Sequence, residues 1–386
     1  MDDKLNNSQV QQLKDLGFSV KTYTEAFELF KSYGYEVSFH EVNGGDAFYY
    51  VNSKGIFSKY YISRELMLKD CLEELIEAQA TVSVSPFVKW AGGKRQLLDK
   101  IDSLLPSYIK ENKPFKYREY FVGGGAVLFH LLNNYPNMIS AVIVDNNPDL
   151  INTYVQIKNN CEELIEKLTT FETLYNNHSN QEQFYLRARN EYNNTEDLSE
   201  VERALLFILL NKTCFNGLYR VNKKGKFNVP WGKRDKVSLF DAQNLRNISR
   251  LLNEKKVLIL CEDYKEVIYR ARYSSEDKER TFCYFDPPYL PVSDTSDFTA
   301  YTKEGFGKEE TDELFAKLNF LNGVGNVDWM LSNSDTEYTR ASLKDYDIQT
   351  VSARRNINRD GGKRGKIGEL IIRNYNYEQK DNSHSG

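Results

Sequence analysis

The stretch Thr281-Phe282-Cys283-Tyr284-Phe285-Asp286-Pro287-Pro288-Tyr289 decides the fold that we expect for this chain. Its first five residues are mostly apolar and predict a buried strand. The two prolines have no backbone N–H, so the strand must end there. The stretch therefore places a carboxylate, two fixed carbonyls and an aromatic ring at the carboxyl end of a strand, where open α/β sheets bind ligands.

This arrangement suits the methylation of an amine that is held in a plane. An exocyclic amino group can donate its hydrogens to Asp286 and to a proline carbonyl, while Tyr289 stacks on the ring that carries the amine. The alternative is a strand that ends in a Pro-Pro turn with a surface Asp, because short motifs also occur by chance. Other parts of the chain bear on this choice.

Length and composition predict a globular, cytoplasmic protein. The 386 residues allow two or three domains, and 40% of them are hydrophobic. No apolar run approaches the ~20 residues of a membrane span, and the amino terminus lacks an apolar signal core. Five cysteines without a CxxC pair favour a reducing compartment, and the four histidines lack metal-binding spacing, so we expect no metal site.

The formal net charge is −4, but the basic residues are clustered. Two loops carry them, and each loop is interpreted either as a solvated surface or as a phosphate-contact surface. The first cluster contains Lys223, Lys224, Lys226, Lys233, Arg234 and Lys236, and the second contains Arg354, Arg355, Arg359, Lys363, Arg364 and Lys366.

Residues 1–80 are predicted to form a small separate α+β module. Thr22 and Glu25 have the spacing of a capping box, Ser63 can begin a second helix, and β-rich segments are expected around 35–41, 46–51 and 56–62. Nothing in the module suggests catalysis. We interpret it as a docking or targeting module, or as a passenger, which leaves open a protein partner.

After Pro86, strand-like runs alternate with helical stretches, which indicates an α/β domain. We expect a catalytic domain at 85–151 and 251–375, interrupted by a helical, polar insert at 152–250, and a disordered tail at 376–386. The candidate strands are Glu119–Phe121, Ala141–Val144, Val257–Cys261, Phe282–Phe285, Trp329–Ser332 and Glu369–Arg373.

A glycine turn, Phe121-Val122-Gly123-Gly124-Gly125, follows the first of these strands. Glycines allow a sharp turn and a close approach to a ligand. Taken alone, the turn could be an NAD or nucleotide loop or simply a tight turn. It lacks a full GxGxxG pattern, and no P-loop occurs in the chain, which disfavours dinucleotide and P-loop sites. Asp145 ends the next strand and is placed to accept ribose hydroxyls, while Lys94 could pair with an amino acid carboxylate. The glycine turn, the ribose acid and the Asp286-Pro287-Pro288-Tyr289 strand end together suggest S-adenosyl-L-methionine as the cofactor.

Five separated motifs resemble the Dam-type DNA adenine-N6 methyltransferases over roughly residues 85–375. The motifs are Lys89-Trp90-Ala91-Gly92-Gly93-Lys94, the glycine turn, Asn211–Arg220 with Gly225–Pro230, Asp286–Tyr289 followed by Phe298-Thr299-Ala300-Tyr301, and Arg354–Ile357 with Gly361-Gly362. The resemblance implies a Rossmann-like S-adenosylmethionine-dependent methyltransferase sheet with a helical and β-hairpin target-recognition insert. It implies double-stranded DNA as the substrate, and a cognate restriction endonuclease is left open.

The resemblance also implies the roles of individual residues. Catalysis falls to Asp286, Pro287, Pro288 and Tyr289. Contacts with the cofactor fall to Trp90, Lys94, Phe121, Gly123, Gly125, Asp145, Asp263 and Asp286. DNA is read by Lys89, Phe215, Asn216, Leu218, Arg220 and Pro230, with Phe215 as a wedge in the duplex.

By the same resemblance, the target adenine flips out of the duplex and the recognition sequence is GATC. The chain departs from the family at Tyr120, Lys212 and Phe215, where Pro, Arg and Tyr are usual. Two other functions remain open: methylation of an amine in RNA, protein or a small molecule, and an inert DNA-binding or partner-binding protein. The resemblance places the protein in a bacterial or phage-infected cell, associated with the nucleoid.

Overall fold

The structure is a computed structural model, and it divides the chain into two compact units, Met1–Val82 and Ser83–Gly386. It describes residues 4–5, 10–11, 14, 20–32, 35–42, 45–51, 57–79, 83–271, 279–289, 306–354 and 366–375. In this part of the chain, no helix has both the length and the apolar composition needed to cross a membrane.

The first unit is a β-hairpin packed with two helices. Its elements are α1 (Tyr23–Ser32), β1 (Glu36–Val42), β2 (Gly45–Val51) and α2 (Arg64–Gln79), and the two strands pair antiparallel. The predicted capping box is present, because Thr22 and Glu25 exchange hydrogen bonds at 3.2 Å. In the segment expected to be β-rich around 56–62, the described residues form antiparallel bridges to β2 at Phe57 and Tyr61 but no continuous strand.

The second unit alternates strands with helices, as the sequence predicted. Its strands are β3 (Phe115–Tyr120), β4 (Met138–Asp145), β5 (Leu258–Cys261), β6 (Arg280–Phe285), β7 (Val327–Ser334), β8 (Asp347–Arg354) and β9 (Lys366–Arg373). Its helices are α3 (Leu98–Ser103), α4 (Ser107–Lys110), α5 (Ala126–Asn134), α6 (Pro148–Asn159), α7 (Cys161–Asn177), α8 (Gln181–Asn194), α9 (Glu200–Thr213), α10 (Ala242–Glu254), α11 (Tyr264–Arg270), α12 (Lys308–Gly323) and α13 (Glu337–Ser342).

The strands of this unit form one sheet in the order β5-β4-β3-β6-β7-β9-β8. The first five are parallel, and β9 runs antiparallel between β7 and β8. The strand order reverses between β3 and β6, and such a switch point is where α/β sheets bind ligands. The predicted Rossmann-like α/β fold is thus confirmed, although β8 was missed at the sequence level.

Parallel register brings the predicted site residues to one edge of the sheet. Tyr120, at the end of β3, lies opposite both Val144 and Phe285, and Asp145 lies opposite Cys261. The residues that follow these strands therefore share the carboxyl edge. The buried core beneath this edge includes Trp329 of β7 and apolar side chains of α11 and α12.

Gly125 ends the glycine turn in a left-handed conformation, with φ of 73°. A Cβ atom there would collide with the hydroxyl of Tyr154 and lie 3.0 Å from Cε2 of Phe129. We predict that Gly125→Ala lowers the free energy of unfolding by more than about 2 kcal/mol, since a strained backbone and an overpacked core each cost about 1–3 kcal/mol. Urea unfolding followed by circular dichroism measures the loss.

Gly92 offers a matched control, because its φ is 78° and a Cβ atom there would meet no atom within 4 Å. Gly92→Ala therefore carries the backbone strain without the collision, and its loss should be about 1 kcal/mol. Equal losses in the two variants would contradict the packing argument for Gly125.

Candidate active site

The glycine turn is fixed to the next strand by one carboxylate. The backbone N–H of Gly123 donates to Oδ2 of Asp145 at 3.0 Å, and the N–H of Asn147 donates to Oδ1 at 3.0 Å. Gly123 itself has a φ of 49°. Burial raises the pKa of Asp145, while these backbone donors oppose that shift. Asp145 thus joins β3 to β4 at the edge where the sequence predicted a ribose acid.

Trp90 covers the glycine turn. A Cβ atom added at Gly123 would lie 2.7 Å from Cδ1 of Trp90, and one added at Gly124 would lie 3.0 Å from its Cβ. Only glycine lets the indole approach this closely. The structure therefore brings together Trp90 and Gly123, two residues that the resemblance assigns to the cofactor.

An aromatic wall stands beside the turn. The ring of Phe121 packs on Tyr264 at a centroid distance of 4.8 Å and on Phe306 at 5.9 Å. Asp263 precedes Tyr264 and is exposed; it caps α11 by accepting the N–H of Lys265 at 2.8 Å. A carboxylate, a close glycine backbone and aromatic rings are a chemical set that fits a nucleoside-containing cofactor.

Lys94 lies at the centre of the second half of the site. Its side chain is 5% exposed, and its Nζ atom lies 2.7 Å from Oδ1 of Asp286 and 3.1 Å from Oε1 of Glu369. The ammonium group also donates to the carbonyl of Gly92 at 3.1 Å and lies 4.7 Å from the ring centroid of Tyr289. Lys94 thus pairs with carboxylates of the protein, whereas the sequence suggested a carboxylate of the cofactor.

The charged groups of this cluster shift one another's pKa. Burial raises the pKa of Asp286 to about 6, against the opposing effect of Lys94, and Glu369 adds to the rise. Burial acts to lower the pKa of Lys94, but the two carboxylates outweigh it and raise that pKa. Tyr289 completes the cluster by donating its hydroxyl to Glu369.

Two buried carboxyl groups were missed at the sequence level. Glu369 contacts Lys94 and Tyr289 from the start of the apolar part of β9. Glu119 lies within β3, accepts the hydroxyl of Tyr117 at 2.9 Å, and has its pKa raised by burial to about 8. For Glu369 the available signal was a carboxylate directly before the apolar run Leu370-Ile371-Ile372. Glu119 gave no such signal, because Lys116 and Arg118 also lie in β3.

A second surface, formed by Lys89 and residues 215–230, carries the predicted DNA contacts. Cys214, Gly217, Phe227 and Val229 are buried and support it from below. We call the six residues with predicted DNA contacts the recognition surface. Five of them are exposed, namely Lys89, Phe215, Asn216, Arg220 and Pro230, and the sixth, Leu218, is half-buried.

Buried Asn211 joins the two segments of the recognition surface. Its side-chain oxygen accepts the N–H of Lys89 at 2.8 Å, and its amide nitrogen donates to the carbonyl of Lys89 at 2.8 Å and to that of Gly217 at 3.0 Å. Gly217 leaves room for Lys89, because a Cβ atom there would lie 2.7 Å from Cβ of the lysine.

Arg220 is held in place by its partner across the hairpin. Its Nε atom donates to Oδ1 of Asn228 at 2.7 Å, and the N–H of Asn228 donates to the carbonyl of Arg220 at 3.0 Å. The motif at Phe298–Tyr301, the side chains of the second basic cluster and the predicted tail lie outside the described residues.

The fold and the site together define a Rossmann-like methyltransferase. A family model for the D12 class of N6 adenine-specific DNA methyltransferases matches residues 90–357, and the chain belongs to this family. The protein is therefore an adenine-specific DNA methyltransferase, and the resemblance predicted from its motifs is confirmed.

Curated relatives match at high identity. The Type II methyltransferase M.MjaIII of Methanocaldococcus jannaschii is 44% identical over 299 residues, which are 76% of this chain and 100% of the relative. The Type II methyltransferase M1.LlaDCHI of Lactococcus lactis is 39% identical, over 76% of this chain and 96% of the relative. The DNA adenine methylase of Serratia marcescens is 34% identical, over 74% and 96%.

The charge cluster predicts a pH dependence. If Asp286 must be ionised to accept amine hydrogens, kcat/KM should fall tenfold per pH unit below about pH 6, where the carboxyl becomes protonated. Lys94 lowers the pKa of Asp286, so Lys94→Met should move this acidic limb upward by about one unit or more. Initial rates of methyl transfer between pH 5 and 9 measure both effects.

These rates are measured at a saturating concentration of methyl donor, so that weaker donor binding by Lys94→Met does not change the measured rate. Lys100, an exposed lysine of α3, supplies the control variant Lys100→Met, whose acidic limb should match that of the wild type. An acidic limb at the same pH in Lys94→Met would contradict the assignment of Asp286.

Proposed function

We propose that this enzyme transfers a methyl group from S-adenosyl-L-methionine to N6 of an adenine that has flipped out of duplex DNA. The chain's own residues suit each part of this reaction. Asp286 to Tyr289 receive the base, the glycine turn and Asp145 receive the cofactor, and the recognition surface reads the sequence. S-adenosyl-L-methionine supplies an electrophilic methyl group when it is bound.

The observation that carries the proposal is the cationic nitrogen held between Asp286 and Glu369. The N6 atom of adenine becomes positively charged as it takes a methyl group. A pocket with two carboxylates and the face of Tyr289 stabilises that charge by direct attraction and by a cation–π contact. The Lys94 ammonium supports this proposal, because it is a positive charge held 4.7 Å from the ring centroid of Tyr289.

Asp286 and the proline carbonyl orient the amine. Hydrogen bonds from the amino group to Oδ1 or Oδ2 of Asp286 and to the Pro287 carbonyl direct the nitrogen lone pair away from the ring plane, and Tyr289 fixes that plane by stacking. Orientation of this kind removes much of the entropic barrier to transfer. Lys94 and the amine need the same carboxylate, so entry of the base displaces the ammonium group.

The cofactor half of the site is assigned to residues that already contact one another. We propose that Asp145 binds the ribose hydroxyls and that the packed pair of Phe121 and Tyr264 forms an aromatic wall on one side of the adenine ring. Trp90, Gly123 and Gly125 shape the turn on which the remainder of the cofactor rests. Asp263 accepts a hydrogen bond from the adenine amino group, since it is exposed beside this wall.

Exposed cations and apolar groups on the recognition surface favour a site that contains guanine and thymine. Arg and Lys pair with the N7 and O6 acceptors of guanine in the major groove, and apolar groups pack on the thymine methyl group. Lys89 and Arg220 supply the first kind of contact, and Leu218 and Pro230 supply the second. We propose GATC as the recognition sequence. We also propose that Phe215, which is 51% exposed, inserts into the duplex and occupies the place that the flipped adenine leaves in the base stack.

The cellular setting follows from the substrate. We propose a cytoplasmic enzyme that acts on chromosomal or phage DNA. The names of two relatives place them among Type II methyltransferases. We therefore propose a cognate restriction endonuclease with the same recognition sequence.

Methylation mapping tests reaction and sequence together. Unmethylated genomic DNA is exposed to purified enzyme and S-adenosyl-L-methionine and then read by single-molecule sequencing. We expect N6-methyladenine confined to GATC, and no methylation with Asp286→Ala, which loses the acceptor of the amine hydrogens. Methyladenine at another sequence would retain the reaction and contradict GATC, whereas normal turnover by Asp286→Ala would sink the mechanism.

Arg220→Ala should relax sequence choice. Loss of a bidentate contact with guanine costs about 1–3 kcal/mol of discrimination, which is roughly 5- to 150-fold in relative kcat/KM for a duplex with one substituted guanine. Arg187→Ala is the matched control, because Arg187 is an exposed arginine of α8 with no assigned base contact. Unchanged discrimination in Arg220→Ala would remove Arg220 from base recognition.

A further inference from the structure

Tyr219 connects the recognition surface to the cofactor half of the site. In sequence it stands between Leu218 and Arg220, but its ring points inward while Arg220 is exposed. The ring stacks on the indole of Trp90, with centroids 5.7 Å apart and an angle of 23° between the planes. One residue of the recognition segment therefore contacts the side chain that covers the glycine turn.

The ring of Tyr219 has little freedom of its own. Phe207 of α9 lies 5.6 Å from it and Phe227 lies 5.8 Å from it, measured between centroids. Phe207 also packs on Trp90, at 6.3 Å. A displacement of Tyr219 must therefore be shared with Trp90, because close-packed rings cannot move independently.

The hydroxyl of Tyr219 contacts the segment that follows β4, on the side of the site where the cofactor is proposed to bind. It interacts with Asn147 and with the hydroxyl of Tyr192, and burial raises the pKa of Tyr219 to about 12. Asn147 donates its backbone N–H to the carboxylate of Asp145. Ring and hydroxyl thus touch both structures that hold the glycine turn, namely Trp90 and the segment after β4.

We propose that the stack of Tyr219 on Trp90 is a positioning contact that couples DNA recognition to cofactor binding. This inference rests on the proposed function, since it takes the glycine turn as the cofactor site and Leu218 and Arg220 as base contacts. DNA that engages both neighbours of Tyr219 restrains its backbone, and the stack passes that restraint to Trp90 and the turn. DNA binding then orders part of the cofactor site in advance, so the cofactor loses less conformational entropy when it binds.

Thermodynamic linkage makes the coupling reciprocal. If target DNA tightens cofactor binding by a certain factor, the cofactor must tighten DNA binding by the same factor. A ring that only fills the core would change stability, or cofactor binding in general, without changing this factor. The factor itself is therefore the quantity to measure.

The experiment uses S-adenosyl-L-homocysteine, which lacks the transferable methyl group and so permits binding measurements with DNA present. Its Kd is measured by isothermal titration calorimetry for the full-length enzyme, alone and with a saturating duplex that carries the mapped recognition sequence. A duplex with one base pair changed serves as the DNA control. For the wild type we expect the recognition duplex to tighten binding at least about fivefold.

Three variants separate the ring from other effects. Tyr219→Leu removes the stack, and we expect the enhancement by DNA to fall below about twofold. Tyr219→Phe keeps the ring, and we expect it to retain most of the enhancement. Phe184→Leu removes an aromatic ring that packs on Phe171 and Tyr175 elsewhere in the insert, and we expect the wild-type enhancement.

Each contrary result has a distinct meaning. A wild type that binds neither S-adenosyl-L-homocysteine nor DNA overturns the proposed function, and this inference with it. A wild type that binds both, with the same enhancement in Tyr219→Leu, overturns the coupling alone. Equal loss in Tyr219→Phe and Tyr219→Leu overturns the role of the ring stack, because only the hydroxyl is missing from both.

Discussion

A buried ammonium group organises the catalytic side of this protein. Lys94 is almost inaccessible to solvent. Moving a charge out of water costs roughly several kcal/mol even after the surroundings relax. The ammonium group can therefore be buried only because it has carboxylate partners. Those partners come from separate parts of the chain: Asp286 follows β6, and Glu369 lies in β9. The ion pairs therefore fix the relative positions of the segment that contains Lys94, the Pro-Pro turn after β6 and the antiparallel strand β9.

The same cluster shows why structure and chemistry are linked here. Carboxylates that hold a lysine in the unreacted enzyme are also suited to hold an amine that becomes cationic. Burial raises the pKa of Asp286 to about 6, which leaves the group ionised at neutral pH but close to its limit. The buried environment that strengthens the attraction of Asp286 to a cation thus also sets the lowest pH at which the carboxyl group stays ionised.

Much of the fold was predictable because the relevant signals are local. Apolar runs marked the parallel strands β4 to β7, and Asp145 ends one such run while Asp286 directly follows another. Strand β8 was missed because its apolar positions, Ile348 and Val351, do not form a run, as is common for a strand at a sheet edge. The true partners of Lys94 were missed for another reason. Glu369 reaches the site only because β9 is inserted antiparallel beside β7, and this is a long-range pairing that no local pattern encodes.

The placement of Glu369 has a consequence for how the enzyme is made. Tyr289 precedes Glu369 by 80 residues in the chain, and a protein is synthesised from its amino terminus. A nascent chain that has completed the Pro-Pro turn still lacks the second carboxylate, so its lysine is paired with Asp286 alone and the cluster does not yet carry its net negative charge. The pocket can reach its final charge balance only after β9 has left the ribosome and entered the sheet, which delays a competent active site until late in synthesis.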